Sequence, residues 1–84
     1  MMMGYRIVHY DKKTERMIGS RPVPSSVVLK VKRIAGAAPL DDDLGEYNLN
    51  EQQVHRIADI LGFSPSVELF YYSLDPYRNA EVMP

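Results

Sequence analysis

Residues 48–65, NLNEQQVHRIADILGFSP, carry the signals of one complete helix with both ends marked. Asn50 is typical of an N-cap, and Gln53, three residues later, can complete a capping box with it. Gly62 suits the left-handed residue that follows a helix. Apolar residues recur at the spacing of one helical face, namely Val54, Ile57, Ala58 and Leu61. The sequence therefore predicts a helix over residues 50–61.

Three other stretches have the composition of β-strands. Residues 5–10 and 16–23 are separated by a polar turn and predict a β-hairpin. Residues 67–74, VELFYYSL, form the clearest strand, and both of its faces are largely apolar. Such a strand is either covered on both sides by its own chain or covered on one side by another molecule. At its centre, alternation separates Tyr71 from Phe70 and Tyr72.

Residues 26–35 fit two structures. Alternating apolar residues and lysines suit a strand, and the β-branched content favours it. The same residues also fit one helical face, with Ser25 or Ser26 as a cap and Gly36 as the end. We predict a helix, because both of its ends are marked.

These elements predict a single α+β domain over residues 1–84, with a loose tail at 77–84. Three antiparallel strands in ββααβ order form a small sheet, and both helices pack on one of its faces. The predicted core combines the apolar face of the second helix with residues from the other elements, namely Ile7, Val31, Ile34, Val54, Ile57, Ala58, Leu61, Leu69 and Phe70.

Composition excludes several classes of protein. The chain has no cysteine, and no stretch approaches the roughly 20 apolar residues of a membrane span. We therefore expect a cytoplasmic protein without a disulfide framework or a membrane partner. Charge is asymmetric, since residues 1–33 carry eight basic and two acidic side chains (+6), whereas residues 34–84 carry two basic and nine acidic ones (−7). Neutralisation within the fold or between subunits explains this better than nucleic-acid binding does, because the pI is only 6.1.

No catalytic, nucleotide-binding or metal-binding motif is present in the sequence. His9 and His55 are not spaced to form a pair with a nucleophile. The acidic run at residues 41–43 does not have the EF-hand pattern, because Gly45 stands where that pattern requires Asp or Asn. The sequence therefore predicts no catalytic residue, no cofactor and no bound metal, and we do not expect an enzyme.

Two groups of residues are candidates for binding a protein partner. Tyr71 and Tyr77 belong to the aromatic C-terminal segment, and tyrosine is favoured at interfaces because it combines a large apolar ring with a polar tip. Asp41, Asp42 and Asp43 form an acidic run that suits a basic partner, although a solvated loop is the simpler explanation.

The chain resembles a class of small bacterial proteins over most of residues 5–76. The matching pieces are Tyr10-Asp11-Lys12-Lys13-Thr14, Ile34-Ala35-Gly36, Tyr47-Asn48-Leu49, Gln53 and Phe70-Tyr71-Tyr72. Some members of that class are similar to immunity proteins or antitoxins, and the resemblance implies a protein-binding module without catalytic residues.

Two functions follow as predictions. The first is a non-enzymatic protein-interaction module, either an immunity-like inhibitor or a homodimeric accessory protein, as the two-sided apolar strand and its tyrosines indicate. The alternative is a small nucleic-acid-binding regulator that uses the basic N-terminal third of the chain.

Overall fold

The computed structural model describes residues 3–36 and 46–78. Its elements are β1 (Met3–Asp11), β2 (Met17–Pro22), a short 3-10 helix (Ser25–Val27), α1 (Val28–Ala35), β3 (Tyr47–Leu49), α2 (Glu51–Leu61) and β4 (Phe70–Arg78). The four strands form one antiparallel sheet in the order β2-β1-β4-β3. The predicted α+β class, antiparallel sheet and pair of helices are confirmed.

Helix α2 forms with the ends that the sequence marks. The Asn50 side chain accepts a hydrogen bond from the Gln53 amide at 2.8 Å, and the Gln53 side chain accepts one from the Asn50 amide at 2.8 Å. This reciprocal pair satisfies two amides that the helix itself cannot. At the other end Gly62 has a φ of 78°, and its amide donates to the Ala58 carbonyl at 2.7 Å.

Residues 26–35 are helical, which resolves the ambiguity of that stretch, but the predicted cap is wrong. Ser25 and Ser26 lie inside the 3-10 turn, and neither side chain caps α1, which starts at Val28. Gly36 ends α1 in the left-handed conformation, as predicted.

The sheet has four strands, one more than predicted, and the order of elements is ββαβαβ. The additional strand is β3, whose residues pair with Tyr72, Ser73 and Leu74 of β4. A three-residue segment gives no recognisable periodicity, and its partners lie more than 20 residues away in the chain. The sequence could therefore show that it is extended but not that it is paired.

The last strand lies further along the chain than the predicted residues 67–74. Ser66 begins a turn in which its carbonyl accepts hydrogen bonds from the amides of Leu69 and Phe70, each at 3.0 Å. Leu69 is consequently 62% exposed, so its assignment to the core was wrong. The strand also continues through Pro76, which pairs with Tyr5 on β1, while β3 does not extend that far. A proline is tolerated where a strand has a neighbour on one side only.

The core lies between the two helices and one face of the sheet. Its buried members are Tyr5, Ile7, Val23, Val31, Ala35, Val54, Ile57, Tyr72 and Leu74. Ala58 is buried as well, and Ile34, Leu61 and Phe70 are partly buried at the margin of this cluster. Apart from Leu69, the predicted core residues therefore lie in the core or pack against it. Both helices lie on this one face, as predicted.

Candidate functional site

The sheet has two different faces, because successive residues of a strand point to opposite sides. Tyr5 and Ile7 of β1 and Tyr72 and Leu74 of β4 point toward the helices and belong to the core. The intervening residues point the other way, where neither α1 nor α2 packs. We call this second side the helix-free face.

The pairing register arranges the helix-free face in three rows across the strands. The first row is Met17, Tyr10 and Tyr71; the second is Ser20, Val8, Ser73 and Asn48; and the third is Pro22, Arg6 and Asp75. An apolar and aromatic row thus lies at one end of the face, small side chains occupy the middle, and an ion pair lies at the other end. Arg6 Nε and Asp75 Oδ2 of that pair are 2.7 Å apart.

Tyr10 reaches from the first row to the opposite end of the face. Its hydroxyl donates a hydrogen bond to Glu46 Oε2, and Glu46 directly precedes Tyr47, which pairs with Leu74. The Tyr10 ring must therefore cross the middle row to reach the carboxylate. Val8, on the same face, is 0% exposed although neither α1 nor α2 lies above it.

The hydrogen bond to Glu46 also stabilises the neutral phenol. Together with burial and the negative charges of Glu46 and Asp75, it raises the pKa of Tyr10 to about 12, and Arg6 opposes this effect. Tyr10 is therefore a neutral hydrogen-bond donor throughout the physiological pH range. The four side chains Arg6, Tyr10, Glu46 and Asp75 form one polar network along this face.

Beside the Tyr10 ring lies a groove of about 480 Å³, which we call the sheet-face groove. It is lined by Tyr10, Glu15, Asn48, Leu49, Tyr71, Tyr72 and Ser73. Ser73 Oγ donates a hydrogen bond to Asn48 Oδ1 at 3.1 Å, so these two polar groups of the groove are fixed relative to each other. Tyr71 stands at its margin with 53% of its surface exposed, and Lys12 Nζ lies 5.2 Å from the centre of its ring.

His9 lies on the helix-covered face and not in the sheet-face groove. Its ring centre is 4.8 Å from that of Phe70 and 5.7 Å from that of Tyr72. It also lies against Gly19, where an added Cβ would be 3.0 Å from the imidazole. Burial lowers the pKa of His9, and the positive charge of Arg21 lowers it further. His55 is exposed on α2. His9 is therefore part of an aromatic cluster on the helix-covered face.

The basic residues of the N-terminal third do not form one surface. Arg6 pairs with Asp75 on the helix-free face, and Arg21 lies over the Phe63 ring at 4.0 Å on the opposite side of the sheet. Lys32 is buried, with Nζ 4.9 Å from the centre of the Tyr5 ring. Lys12 and Lys13 lie in the hairpin turn. The excess of positive charge in the sequence is thus dispersed by folding.

Three other cations converge on the outer side of the helix pair. Lys30 and Arg33 of α1 and Arg56 of α2 line a cleft of about 200 Å³, with Ile34 and Ile60 as its apolar residues. We call this the α1–α2 cleft. Lys30 and Arg33 lie three positions apart on α1, and their convergence with Arg56 depends on the packing of α1 against α2.

Of the five predicted partner-binding residues, one is placed in a groove. Tyr71 lines the sheet-face groove. The backbone of Tyr77 pairs with Gly4 in the sheet, but its side chain lies outside the described part of the structure. Asp41, Asp42 and Asp43 also lie outside the described residues.

The sequence did not identify Tyr10, Asn48 and Ser73 as groove residues. Alternation along residues 5–10 predicts that Val8 and Tyr10 lie on one face of the sheet. It does not predict the pairing of β1 with β4, which brings Tyr10 opposite Tyr71, 61 positions away in the chain. No local pattern encodes that partner.

Membrane-spanning helices and metal-binding groups can be assessed for the described residues. No helix formed by residues 3–36 or 46–78 has both the length and the apolar character required to cross a membrane. Within the same ranges, no group of three or more histidine or carboxylate side chains is arranged to hold a metal ion.

Comparison with known proteins gives one match. The family described as a domain of unknown function, DUF7683, matches residues 4–75. That range is close to the 5–76 over which the sequence resembled a class of small bacterial proteins. No curated protein and no solved structure matches the chain.

Proposed function

We propose that this chain, which belongs to the DUF7683 family of domains of unknown function, is a non-enzymatic protein-interaction module that binds its partner through the helix-free face. The observation that carries the proposal is the sheet-face groove with the half-exposed Tyr71 at its margin. Both helices cover the other face, so among residues 3–36 and 46–78 this groove is a surface that is accessible to another molecule.

The chemistry of the groove suits a protein surface. Aromatic side chains, tyrosine above all, contribute much of the binding energy of interfaces, because they bury a large area with little loss of conformational freedom. Tyr10 and Tyr71 line the groove, and Met17 extends the same row toward the edge strand β2. Asn48 and Ser73 provide hydrogen-bonding groups between them. The combination resembles the aromatic centre and polar surroundings of known interfaces.

Hydrogen bonds and an ion pair fix the side chains of the helix-free face in the absence of a partner. Tyr10 is fixed by Glu46, Ser73 by Asn48 and Arg6 by Asp75. Fixed side chains lose less conformational entropy on binding, which favours affinity. The Tyr10 phenol remains neutral, so it acts as a hydrogen-bond donor on this face and not as a base. This arrangement supports recognition rather than catalysis.

The partner is either a second copy of the chain or a different protein, as for a homodimeric accessory protein or an immunity-like inhibitor. Size-exclusion chromatography with light scattering at rising concentration tests the first case. Capture on the tagged protein from a nuclease-treated lysate of the source cells tests the second. We expect self-association or recovery of one protein in near-stoichiometric amount.

Two matched variants test whether the association depends on the sheet-face groove. Tyr71→Glu places a charge in the groove, whereas Leu29→Glu places one at an equally exposed apolar position on α1. We expect Tyr71→Glu to abolish the association and Leu29→Glu to keep it, with both variants as stable as the wild type in thermal unfolding. A strictly monomeric wild type that captures no protein, or equal binding by both variants, would contradict the proposal.

A further inference from the structure

The cations of the α1–α2 cleft have no ion-pair partner among residues 3–36 and 46–78. Lys30, Arg33 and Arg56 form no ion pair and no hydrogen bond through their side chains with the residues that the structure describes, whose one salt bridge joins Arg6 to Asp75. No carboxylate is among the side chains that line the cleft. Three positive charges therefore converge without neutralisation in a protein whose net charge is −1.

The cleft also strengthens the effect of those charges. Its apolar side chains, Ile34 and Ile60, exclude part of the surrounding water, and cations on a low-dielectric surface produce a stronger local potential than dispersed ones. Guanidinium groups such as those of Arg33 and Arg56 bind phosphate with two parallel hydrogen bonds, and Lys30 adds a third charge.

The size of the cleft limits what it can hold. A volume of about 200 Å³ is below the roughly 300–1,000 Å³ of sites that enclose a small molecule. It suits single phosphate groups that reach it from a ligand lying outside. A chain of phosphodiesters presents such groups at regular intervals, so successive phosphates can meet the cations of both helices.

We propose that the α1–α2 cleft binds the phosphodiester backbone of a nucleic acid. The site is separate from the helix-free face and uses only one part of the basic N-terminal third. Arg56, which the sequence separates from the other basic residues, completes it. Since the contacts are to phosphates, binding is independent of base sequence and depends strongly on salt.

Fluorescence anisotropy with a labelled 20-base-pair DNA duplex, and with an RNA duplex of the same sequence, tests this proposal. Three phosphate contacts correspond to a slope of about −2.7 in a plot of log K against log salt, so affinity should fall about 40-fold between about 50 and 200 mM salt. Loss of two contacts should reduce the slope to about −0.9 and the fall to about 4-fold. Similar binding of DNA and RNA is expected, because both carry the same phosphodiester groups.

Two double variants remove the same charge from different places. Arg33→Gln/Arg56→Gln removes it from the cleft, whereas Lys13→Gln/Arg16→Gln removes it from exposed positions at the hairpin turn. We expect the first to reduce the salt slope and the second to keep it. Absence of wild-type binding at low salt, or equal loss in the two variants, would overturn the proposal. Tyr71→Glu should bind as the wild type does, which separates this result from the test of the helix-free face.

Discussion

The helix-covered and helix-free faces of the sheet are built from the same strands but are protected in different ways. Ile7 and Leu74 lie under the aliphatic side chains of α1 and α2, whereas Val8 and Ser73, one position away, lie on the helix-free face together with Tyr10. All four are almost completely buried. The first cover is continuous and contributes most of the core. On the helix-free face, Tyr10 is held by its hydrogen bond to Glu46, and a groove lies beside it. The comparison indicates that one face is built for stability, whereas the other carries the groove that we propose as a binding surface.

The strongest test of this comparison replaces an isoleucine on each side of the domain. Ile57 is completely buried under the sheet, and Ile18, on the edge strand β2, is 54% exposed. Ile57→Ala should lower the free energy of unfolding by about 2–5 kcal/mol, because it removes apolar contacts and leaves a cavity. Ile18→Ala should change it by less than about 0.5 kcal/mol. Urea denaturation followed by circular dichroism measures both, and equal losses would contradict the assignment of the core.

A smaller effect is expected from two valines that are both 0% exposed, Val31 in the core between the helices and the sheet, and Val8 on the helix-free face. Val31→Ala should cost about 2–3 kcal/mol, since it removes two carbon atoms from a closely packed cluster. Val8→Ala should cost about 1–2 kcal/mol, because it removes the same two carbon atoms at a site outside the buried cluster between the helices and the sheet. The same urea experiment reports both values. A larger loss for Val8→Ala would show that the helix-free face is packed as tightly as the core.

The smallest predicted effect concerns pH and the aromatic cluster around His9. Because the pKa of His9 is lowered in the folded protein, the unfolded chain binds the proton more readily. Stability from the neutral imidazole is therefore present above the unfolded pKa of about 6.5 and is lost as the pH falls through the folded value. Thermal unfolding between about pH 8 and pH 5 should show this loss in the wild type.

A glutamine at each histidine position provides the controls for the pH experiment. His9→Gln should weaken the dependence of the melting temperature on pH. His55→Gln, at an exposed position of α2, should keep the acid-induced loss that His9 causes. A His9→Gln variant with the full wild-type dependence would exclude His9 as its source.

Local signals predicted those parts of the fold that depend on residues close together in the sequence. The capping box of Asn50 and Gln53, the glycine ends of both helices and the amphipathic face of α2 each involve a few neighbouring positions. Prediction was less accurate for the last strand, because the hydrogen bonds of the Ser66 turn compete with the strand propensity of Val67 and Leu69. For the same reason Leu69 is exposed although its residue type is typical of a core.

The candidate sites were predicted only in part. Tyr71 was identified from its residue type and from the alternation of the aromatic strand, both of which are local. The Tyr10–Glu46 bond and the Ser73–Asn48 bond join residues 36 and 25 positions apart, and the α1–α2 cleft joins Arg33 to Arg56. Each depends on a distant pairing, which periodicity cannot indicate.

The sequence by itself determined the α+β class, the two helices and the apolar faces that pack together, because capping chemistry and hydrophobic periodicity act over a few residues. Only the tertiary structure decided that β1 and β4 are neighbours and that β3 pairs with β4 at the edge of the sheet. It also decided that Tyr10 binds Glu46 on the helix-free face. These features depend on which distant segments bury their apolar surfaces together, and that choice is made by the whole chain during folding.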